Sequence, residues 1–524
     1  FKQKTAYEIM PSLVGSEMCI RDSDIYISTS PLVGLFPAAN RVWISCISPL
    51  TGFYTCSSAG GFFASRMRRS GFEVIKLTGR SRRWLWIEIR DGEVIFHNAS
   101  SLRGELTYNL KEKLESKTDG EVLCIGPAGE NLVPYASTQV GFRSAGRGGH
   151  GAIFGYKRVK AISVSGSGDF SGMNERTRRV ARRMLGKIME RRKGWSERGG
   201  TLGILEWINN SRCFPTDNWR DSRFEGASET TFAALKPFLV EKRSCFNCPV
   251  ACWKIMRSKT GEGDGVEYEI AWAFGANICN DDPEMIVLLN HLCDQYGVDA
   301  INFGGALAWL KEASEKGLVD FEWNIRRIPE LVRRTAKKEG LGRLLSMGSR
   351  DASEKIGGKS MDILGMNLPA YDPRGLWSMM LTYTEGPRYG CHLKSWTVAK
   401  ELHLPPEKRF SIRGKARMVF ELMRDRVILD SSGLCSFPSF ETREISAMYS
   451  ALLGKRLSVK EMRKNAAKTL RLEKEIDIRR GVGEVKIPER LVEEDIFTGG
   501  RAVRLEKDVF ERMRKKFQRI LWSS

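Results

Sequence analysis

The sequence predicts an α+β fold, with a β-rich N-terminal base domain followed by two mainly α-helical domains. Up to about residue 172, short runs of alternating hydrophobic and polar residues, such as RVWISCI, are separated by glycine clusters such as SAGGFF. Alternation of this kind is typical of strands and their turns. From about Met173 the pattern becomes helical, as in NERTRRVARRMLGKIMERR. A chain of 524 residues, 42% of them hydrophobic, is long enough for two or three domains with substantial cores.

Residues typical of turns and helix ends locate several secondary-structure elements. Asp91 and Gly92 lie between the strand-like halves of WLWIEIRDGEVIFH, which predicts a hairpin. Asn174 is expected to cap the first long helix, and Pro283 to occupy the first turn of a helix over EMIVLLNHLCDQYG. The C-terminal residues predict a basic amphipathic helix. The predicted domains are 24–172, 173–364 and 365–524.

Composition argues against several classes of protein. No stretch approaches the roughly 18 consecutive apolar residues of a membrane span, so no membrane insertion is expected. The twelve cysteines fall at irregular spacings rather than as a disulfide framework, which favours a reducing, cytoplasmic setting. The net charge of +21 is spread along the chain and is interpreted mainly as solvated helix faces. The specific partner it favours is an acidic electron carrier, and nucleic acid is not expected.

The first 23 residues differ in character from the rest. They lack an initiator Met and the apolar core of a signal peptide, and they resemble a translated adapter or assembly artefact. Cys19 is therefore assigned no role. The genuine protein is expected to begin near Asp24, with a native N-terminal segment missing.

The strongest chemical signal is CFNCPVAC, in which Cys245, Cys248 and Cys252 form a C-x2-C-x3-C run. Three thiolates this close can bind three irons of a cubane cluster, while a fourth cysteine comes from elsewhere in the chain. Zinc would require a second close pair of cysteine or histidine residues, and none lies nearby in the sequence. Three buried, unliganded thiols remain an alternative. Pro249 favours a fixed loop over a helix here.

Two further motifs carry a resemblance to a known family. Cys435 ends DSSGLC, and a similar segment, DQYGVD, begins at Asp294. Taken with the cysteine run, these motifs closely resemble the tungsten-dependent aldehyde:ferredoxin oxidoreductase family. Further matching segments, in collinear order, are ISPLTG (47–52), RSAGRGGHGAIFGYKRVKAISV (143–164), EYEIAWAFGANICNDD (267–282), DPRGL (372–376) and GCHLK (390–394). The resemblance extends from Asp24 to the C-terminus.

The resemblance implies a bis-pterin tungsten cofactor, with molybdenum not excluded, beside one four-iron–four-sulfur (4Fe-4S) cluster. Cys435 would be the fourth cluster ligand and would also contact a pterin. Aspartates would accept hydrogen bonds from pterin N–H groups, and glycines and arginines would line the phosphate side. The cofactor-binding residues that it implies are Arg41, Ser58, Gly60, Arg143, Ser144, Asp294, Asp299, Lys394, Asp430 and Leu434.

A Mg²⁺ ion that bridges the pterin phosphates is also implied. Ser58 stands where characterised relatives use an asparagine to hold this ion, and a serine hydroxyl or an intervening water can take over. The second contact, from the Ser144 carbonyl, would not depend on a side chain. The mononuclear iron that some relatives carry at a dimer interface is not predicted, because no convincing Glu-x-x-His is found. Homodimer formation stays open.

Catalysis is expected to depend on Glu269 and His392, with Tyr371 as a helper. A carboxylate near the metal can take a proton from water or from an aldehyde hydrate, and a histidine or tyrosine can polarise the carbonyl oxygen. Glu267 is the rival of Glu269 because both lie in EYE, and in an extended segment both would point the same way. The reaction implied converts a small aldehyde, water and oxidised ferredoxin into carboxylate and reduced ferredoxin.

Two other functions stay open. One is a low-potential reductase of the same superfamily, resembling those that reduce aromatic acyl-CoA thioesters. The other, from a different class, is a cluster-bearing nucleic-acid-binding protein, which the charge of +21 motivates. Cys56 and Cys391 are expected to line the cofactor pocket rather than to bind tungsten. The cysteines expected to be small core residues are Cys46, Cys124, Cys213, Cys279 and Cys293.

Overall fold

The computed structural model describes residues 23–170 and 172–524. The interpretation of residues 1–22, including Cys19, lies outside the described residues. None of the helices in the described part of the chain combines the length and apolar composition that a membrane span requires.

The first part of the chain is built on two β-sheets. The first has the strand order β3-β2-β1-β4 and is antiparallel. The second has the order β6-β5-β10-β7-β8-β9, and within it β5 and β10 pair in parallel. The strands are β1 (Ile25–Ser28), β2 (Val42–Ile47), β3 (Tyr54–Ala59), β4 (Val74–Leu77), β5 (Leu85–Arg90), β6 (Glu93–Asn98), β7 (Glu121–Cys124), β8 (Thr138–Val140), β9 (Arg143–Ala145) and β10 (Val159–Ser165). The helices among them are α1 (Phe63–Arg69), α2 (Thr107–Thr118), α3 (Pro127–Glu130) and α4 (His150–Lys157).

The predicted hairpin is confirmed. Asp91 and Gly92 join β5 to β6, and their φ angles of 45° and 89° are those of a two-residue turn that needs positive φ at both positions. Aspartate and glycine tolerate this conformation better than other residues, which is why the pair marks the turn in the sequence.

Helices dominate the chain from Glu175 onward, as predicted. The second part contains α5 (Glu175–Arg191), α6 (Leu205–Asn210), α7 (Phe232–Leu235), β11 (Leu239–Arg243), β12 (Trp253–Ser258), β13 (Gly261–Asp264), α8 (Tyr268–Ala273), α9 (Pro283–Tyr296), α10 (Ala300–Glu315), α11 (Ile328–Lys337), α12 (Leu341–Leu345) and α13 (Ser349–Ile356). Asn174 caps α5 by accepting a hydrogen bond from the Thr177 amide at 2.9 Å. Asp282 caps α9, and Pro283 is its first residue, as predicted.

The third part is also mainly helical. It contains β14 (Asp362–Ile363), β15 (Met366–Asn367), α14 (Trp377–Glu385), α15 (Val398–Leu402), α16 (Pro406–Arg409), α17 (Lys415–Ser431), α18 (Thr442–Leu453), α19 (Val459–Arg479), α20 (Arg490–Glu493), β16 (Ile496–Thr498), β17 (Arg501–Val503) and α21 (Lys507–Ser523). Helix α17 packs against α14, α18, α19 and α21. A continuous hydrophobic core joins all three parts. The strands concentrate in the first part and the helices in the other two, so the α+β class is confirmed. The domain boundaries stay a prediction.

The cysteines predicted to be small core residues behave that way with one exception. Cys46, Cys124, Cys213 and Cys293 are buried. Cys279 is exposed, and that prediction was wrong. Its φ of 56° is left-handed, and it ends the short 3-10 helix Ala276–Ile278 that precedes α9.

Candidate active site and cluster pocket

Four cysteine side chains from two loops line one pocket, which four separate parts of the chain form. Cys245, Cys248 and Cys252 come from the loop between β11 and β12, and Cys435 comes from the loop after α17. We call this the cysteine pocket. The residues that line it are Asn40, Arg41, Arg143, Cys245, Cys248, Val250, Ala251, Cys252, Trp253, Cys435, Phe437 and Pro438. The structure thus brings together the four cysteines and two of the predicted phosphate-side arginines.

The loop that carries the first three cysteines is not helical, as Pro249 suggested. Asn247 and Ala251 have φ angles of 50° and 47°, so the chain turns twice within the run. The loop is attached to the β-rich part by backbone hydrogen bonds, from Phe246 to the Gly61 carbonyl at 3.1 Å and from Ala38 to the Asn247 carbonyl at 2.9 Å. These bonds hold the thiols at the edge of the first sheet.

The loop that carries Cys435 is attached to the same segment. The Cys435 amide donates to the Ala38 carbonyl, and the Arg41 amide donates to the Gly433 carbonyl, each at 3.0 Å. Leu434 is buried and pairs with Ala39 in an isolated β-bridge. The Arg41 guanidinium Nη2 lies 2.9 Å from the Cys435 Sγ. Two loops that are distant in sequence therefore meet on one short stretch before β2.

The four thiols surround a space and do not converge on the position of one metal ion. Within the described ranges, no three histidine, cysteine or acidic side chains are close enough to hold a single metal ion. Burial raises the pKa of the Cys248 and Cys252 thiols to about 12. Thiolates in this pocket therefore need positive charge nearby, and iron ions supply such charge when thiols ligate them.

Gly60 leaves space that the cysteine pocket needs. A Cβ atom at this position would lie 2.9 Å from the Cys245 Sγ and 3.3 Å from the Arg41 Nη1. We expect Gly60→Ala to cost roughly 1–3 kcal/mol of stability through overpacking and to lower the iron content of the isolated protein. Gly186→Ala on α5 is the control, because no atom lies within 4 Å of its added Cβ. Iron analysis of both variants checks the prediction, and equal iron contents would contradict it.

The two serines expected to hold Mg²⁺ lie on neighbouring strands. Ser58 is in β3 and Ser144 is in β9, and these two strands pack against each other although they belong to different sheets. Both side chains are half-buried. The packing of β3 on β9 is compatible with the predicted ion, whose coordination stays a prediction.

The three predicted pterin aspartates are already held by protein groups. Burial raises the pKa of Asp294 to about 7, and it accepts hydrogen bonds from Gln139 at 2.8 Å and Tyr108 at 3.1 Å. Asp299 caps α10 through the Ile301 amide at 3.0 Å.

Asp430 forms ion pairs with Lys394 at 3.0 Å and Arg426 at 2.6 Å. The structure therefore brings Lys394 and Asp430 together. Asp294 and Asp299 lie apart from that pair, at the end of α9 and the start of α10.

Two arginines that the sequence analysis did not single out connect these segments. Arg147 is buried and donates to the carbonyls of Asn367 at 2.5 Å and Gly390 at 3.0 Å, while its Nε lies 3.5 Å from Asp299. Arg147 lies inside the RSAGRGG motif, and this motif is the sequence signal that could have identified it.

Arg388 donates to the Cys56 carbonyl and to the Cys391 Sγ, each at 2.6 Å. No sequence motif marks it. Both cysteines are buried.

The predicted catalytic side chains meet in a second buried site. Glu269 is the second residue of α8, and its Oε2 accepts a hydrogen bond from the Ala370 amide at 3.1 Å. Its Oε1 lies 3.4 Å from the His392 Nε2. The ring centroids of Tyr371 and His392 are 5.3 Å apart. The structure therefore brings all three residues together, although Glu269 lies more than a hundred positions before Tyr371 and His392 in the chain.

The electrostatics of this site favour proton transfer near neutral pH. Burial raises the pKa of Glu269 to about 7, and burial together with Arg147 and Arg388 lowers the pKa of His392 well below its usual range. His392 is therefore neutral. Within the described residues, the Glu269 Oε1 and the His392 Nδ1 are buried without a hydrogen-bond partner. Both atoms are available to a substrate or a water molecule.

Glu267 and Glu269 do not point the same way. Residues 268–273 form α8 instead of an extended segment, so the two carboxylates have different neighbours. Glu267 lies outside the helix, with its Oε1 3.1 Å from the Lys254 Nζ and 3.9 Å from the Arg143 Nη1. Glu267 therefore lies on the side of the cysteine pocket, and Glu269 on the side of His392.

An ion pair connects the two sites. Lys394 follows His392 by two positions, and Asp430 precedes Cys435 by five. The contact of 3.0 Å between Lys394 and Asp430 thus connects the segment of the candidate catalytic histidine to the segment of the fourth cysteine. Both side chains are buried.

Sequence models of one family match most of the chain. The model described as "Aldehyde ferredoxin oxidoreductase, N-terminal domain" matches residues 5–166, and the one described as "Aldehyde ferredoxin oxidoreductase, domains 2 & 3" matches residues 179–521. The chain is 31% identical over 519 residues to the tungsten-containing aldehyde ferredoxin oxidoreductase of Pyrococcus furiosus, covering 93% of this chain and 86% of that protein. The Pyrococcus abyssi protein of that name is also 31% identical, over 531 residues with the same coverage.

More distant similarities extend beyond that enzyme. The WOR-like subunit of an aliphatic sulfonate oxidoreductase from Pyrococcus furiosus is 25% identical over 378 residues, covering 66% of this chain and 60% of that protein. Among solved structures, the active-site complex BamBC of benzoyl coenzyme A reductase, in complex with 1,5-dienoyl-CoA, superposes with a TM-score of 0.80. It covers 95% of this chain and 86% of that chain at 18% identity, which shows a shared fold alone.

Proposed function

Because this chain belongs to the aldehyde ferredoxin oxidoreductase family, we propose that it oxidises a small aldehyde to the carboxylic acid. The proposed cofactors are a bis-pterin tungsten centre with its Mg²⁺ ion and a 4Fe-4S cluster, and the electrons leave to a ferredoxin-like carrier. The main support for the proposal is the pairing of Glu269 with His392 at 3.4 Å. The same chain also has a pocket lined by four thiols.

The cysteine pocket suits the proposed cluster. Four cysteine thiolates are the usual donor set of a 4Fe-4S cluster, and the four thiols line a single pocket. A cluster with charged sulfur ligands requires space and a hydrogen-bond donor near the sulfur. Gly60 leaves the space, and Arg41 is the donor to Cys435. Cys435 is the proposed fourth ligand, next to the proposed pterin contact at Asp430.

The same geometry supports the cofactor-binding residues that the resemblance implies. Lys394 and Asp430 form a buried pair between the two sites, and Arg143 lines the cysteine pocket beside Ser144. Asp294 and Asp299 would offer carboxylate oxygens to pterin N–H groups. When bound, the tungstopterin supplies the acceptor for the two electrons that leave the aldehyde carbon.

The residues of the chain would handle the protons. Oxidation of an aldehyde with water gives the carboxylic acid, two protons and two electrons. Glu269, whose pKa is about 7, would accept one proton from water or from the aldehyde hydrate. His392, neutral at this pH, would donate an N–H hydrogen bond to the carbonyl oxygen. The Tyr371 ring, 5.3 Å from the His392 ring, would hold the imidazole in place.

A low-potential reductase is the second candidate. The fold shared with the benzoyl coenzyme A reductase complex, at a TM-score of 0.80, is the observation that favours it. The glutamate–histidine pair would then donate a proton to the substrate instead of accepting one, because each step is reversible in principle.

Metal and activity measurements on the full-length chain, purified without oxygen, test the proposal. We expect about four irons per chain, the content of one cubane, together with one tungsten or molybdenum. We also expect viologen to be reduced when members of a panel of aldehydes are added. Iron without tungsten, molybdenum or pterin would contradict the proposal. So would reduction of an aromatic thioester in a protein that oxidises no aldehyde.

A further inference from the structure

One face of α5 combines uncompensated positive charge with exposed apolar side chains. Arg178, Arg182, Leu185 and Met189 are spaced i, i+4, i+7 and i+11, which places them along one face of the helix. Leu185 is 39% exposed and Met189 is 60% exposed, although the helix buries Ile188 on its other side. We call these four residues the α5 face.

The protein itself neutralises only part of the positive charge of this region. Residues 175–198 contain ten lysine and arginine residues against three glutamates. On the opposite side of the helix, Lys187 and Arg191 pair with the buried Glu444 at 2.8 Å each. Arg178 and Arg182, in contrast, form no ion pair with any of the residues described. Their charge is therefore available to a partner.

The C-terminal end of α5 lies beside the cysteine pocket. Ile188 packs in one small cluster with Val250 and Cys435. Just beyond the helix, the Arg192 guanidinium lies 4.9 Å from the centroid of the Trp195 ring, and that ring lies 6.1 Å from the ring of Phe437, which lines the pocket. At 1.5 Å of rise per residue, Arg182 lies about 9 Å along the helix axis from Ile188.

A second group of cations borders the same pocket. Lys242 and Arg243 are exposed at the end of β11, directly before the first cysteine. Arg243 lies 5.9 Å from the centroid of the Trp253 ring, and Trp253 lines the pocket. Glu241 pairs with Arg243 and offsets part of this charge. Positive charge therefore borders the pocket from two elements.

We propose that the α5 face is the docking site of a small acidic electron-carrier protein, which receives electrons from the cluster in the cysteine pocket. This inference rests on the proposed function. Electron transfer slows steeply with distance, so a carrier must bind beside the cluster. Leu185 and Met189 provide the apolar contact that holds the complex, and the arginines steer a negatively charged partner onto it. The positive charge of this face favours an acidic partner over a second copy of this chain, which also carries +21.

Binding of an acidic ferredoxin to the full-length holoenzyme tests the inference. Arg178→Glu/Arg182→Glu is expected to raise the Kd for ferredoxin by about ten-fold or more at low salt, with a smaller difference at high salt. Isothermal titration measures this Kd without any substrate. The binding result is therefore informative even if the protein oxidises no aldehyde. Failure of the docking site can thus be distinguished from failure of the proposed function.

The matched control is Lys515→Glu/Lys516→Glu on α21. Both lysines are exposed, and the helix packs against α14, α17 and α19, none of which lines the cysteine pocket. The control makes the same change in net charge as the α5 variant, from +21 to +17, and should leave the Kd for ferredoxin unchanged. Met189→Ala should raise the Kd without changing its dependence on salt.

Two kinetic readouts complete the test. The rate of viologen reduction by aldehyde should be the same in the α5 variant as in the parent, while the KM for ferredoxin rises. Equal effects of the α5 and α21 variants on the Kd would overturn the inference, since they would reflect net charge alone. It would also be overturned if the α5 variant lost affinity for a labelled DNA duplex and kept its affinity for ferredoxin, because the face would then bind nucleic acid.

Discussion

Replacing Cys435 with alanine is expected to lower both the iron content and the aldehyde-linked electron transfer of this protein. The change removes one of the four thiols of the cysteine pocket and leaves Arg41 without the sulfur that it contacts at 2.9 Å. Removing a group that only supports a metal ligand typically lowers metal affinity or activity by about 10- to 100-fold. The loss of a proposed ligand itself should have a larger effect. Iron analysis, the electron paramagnetic resonance signal of the reduced protein and viologen reduction measure the two effects.

Cys293→Ala is the matched control for this experiment. Cys293 is buried like Cys435, but it lies in α9 and does not line the cysteine pocket. Its removal leaves a cavity about the size of one sulfur atom, so iron content and electron transfer should stay close to those of the parent. If both variants lose iron to the same extent, Cys435 is a packing residue and the proposed fourth ligand must be sought elsewhere.

Glu269→Gln is expected to lower kcat for aldehyde oxidation by roughly 10²- to 10⁴-fold, the usual contribution of a general base. Glutamine keeps the shape of the side chain and its acceptor for the Ala370 amide, but it cannot take up a proton. Because the pKa of Glu269 is about 7, the rate of the parent enzyme should fall as the pH drops below about 7. The variant should lose this dependence. Viologen-linked rates between pH 5 and 9 measure both effects.

Glu267→Gln is the control that separates the two neighbouring glutamates. Glu267 contacts Lys254 and Thr201 and lies away from His392. Its replacement should leave the fall in rate below pH 7 in place. If that fall persists in Glu269→Gln and disappears in Glu267→Gln, the assignment of the base is wrong.

The same pKa gives Glu269 an effect on stability that does not involve activity. Burial raises its pKa from an ordinary value of 4.5 to about 7, so the folded protein holds this proton more tightly than the unfolded chain does. The contribution of Glu269 to stability is therefore highest below pH 4.5 and is lost as the pH rises toward 7. Relative to the parent, Glu269→Gln should gain thermal stability across this window.

Local features of the protein could be predicted from the sequence because few residues determine them. The turn at Asp91 and Gly92, the cap at Asn174 and the start of α9 at Pro283 depend on interactions within about four residues. The cysteine run and the α+β order of the chain could be predicted for the same reason. The resemblance added the residues of the proposed site, of which Glu269 and His392 meet in the fold.

Contacts between distant segments were decided by the tertiary structure alone. Glu267 and Glu269 diverge because a helix begins at Tyr268, which a three-residue motif does not reveal. The roles of Arg147 and Arg388 depend on carbonyls supplied by distant segments of the chain. The position of helix α5 beside Cys435 depends on the packing of Ile188. Helix caps and turns form among neighbours in sequence, whereas a pocket forms only where packing brings separate segments together.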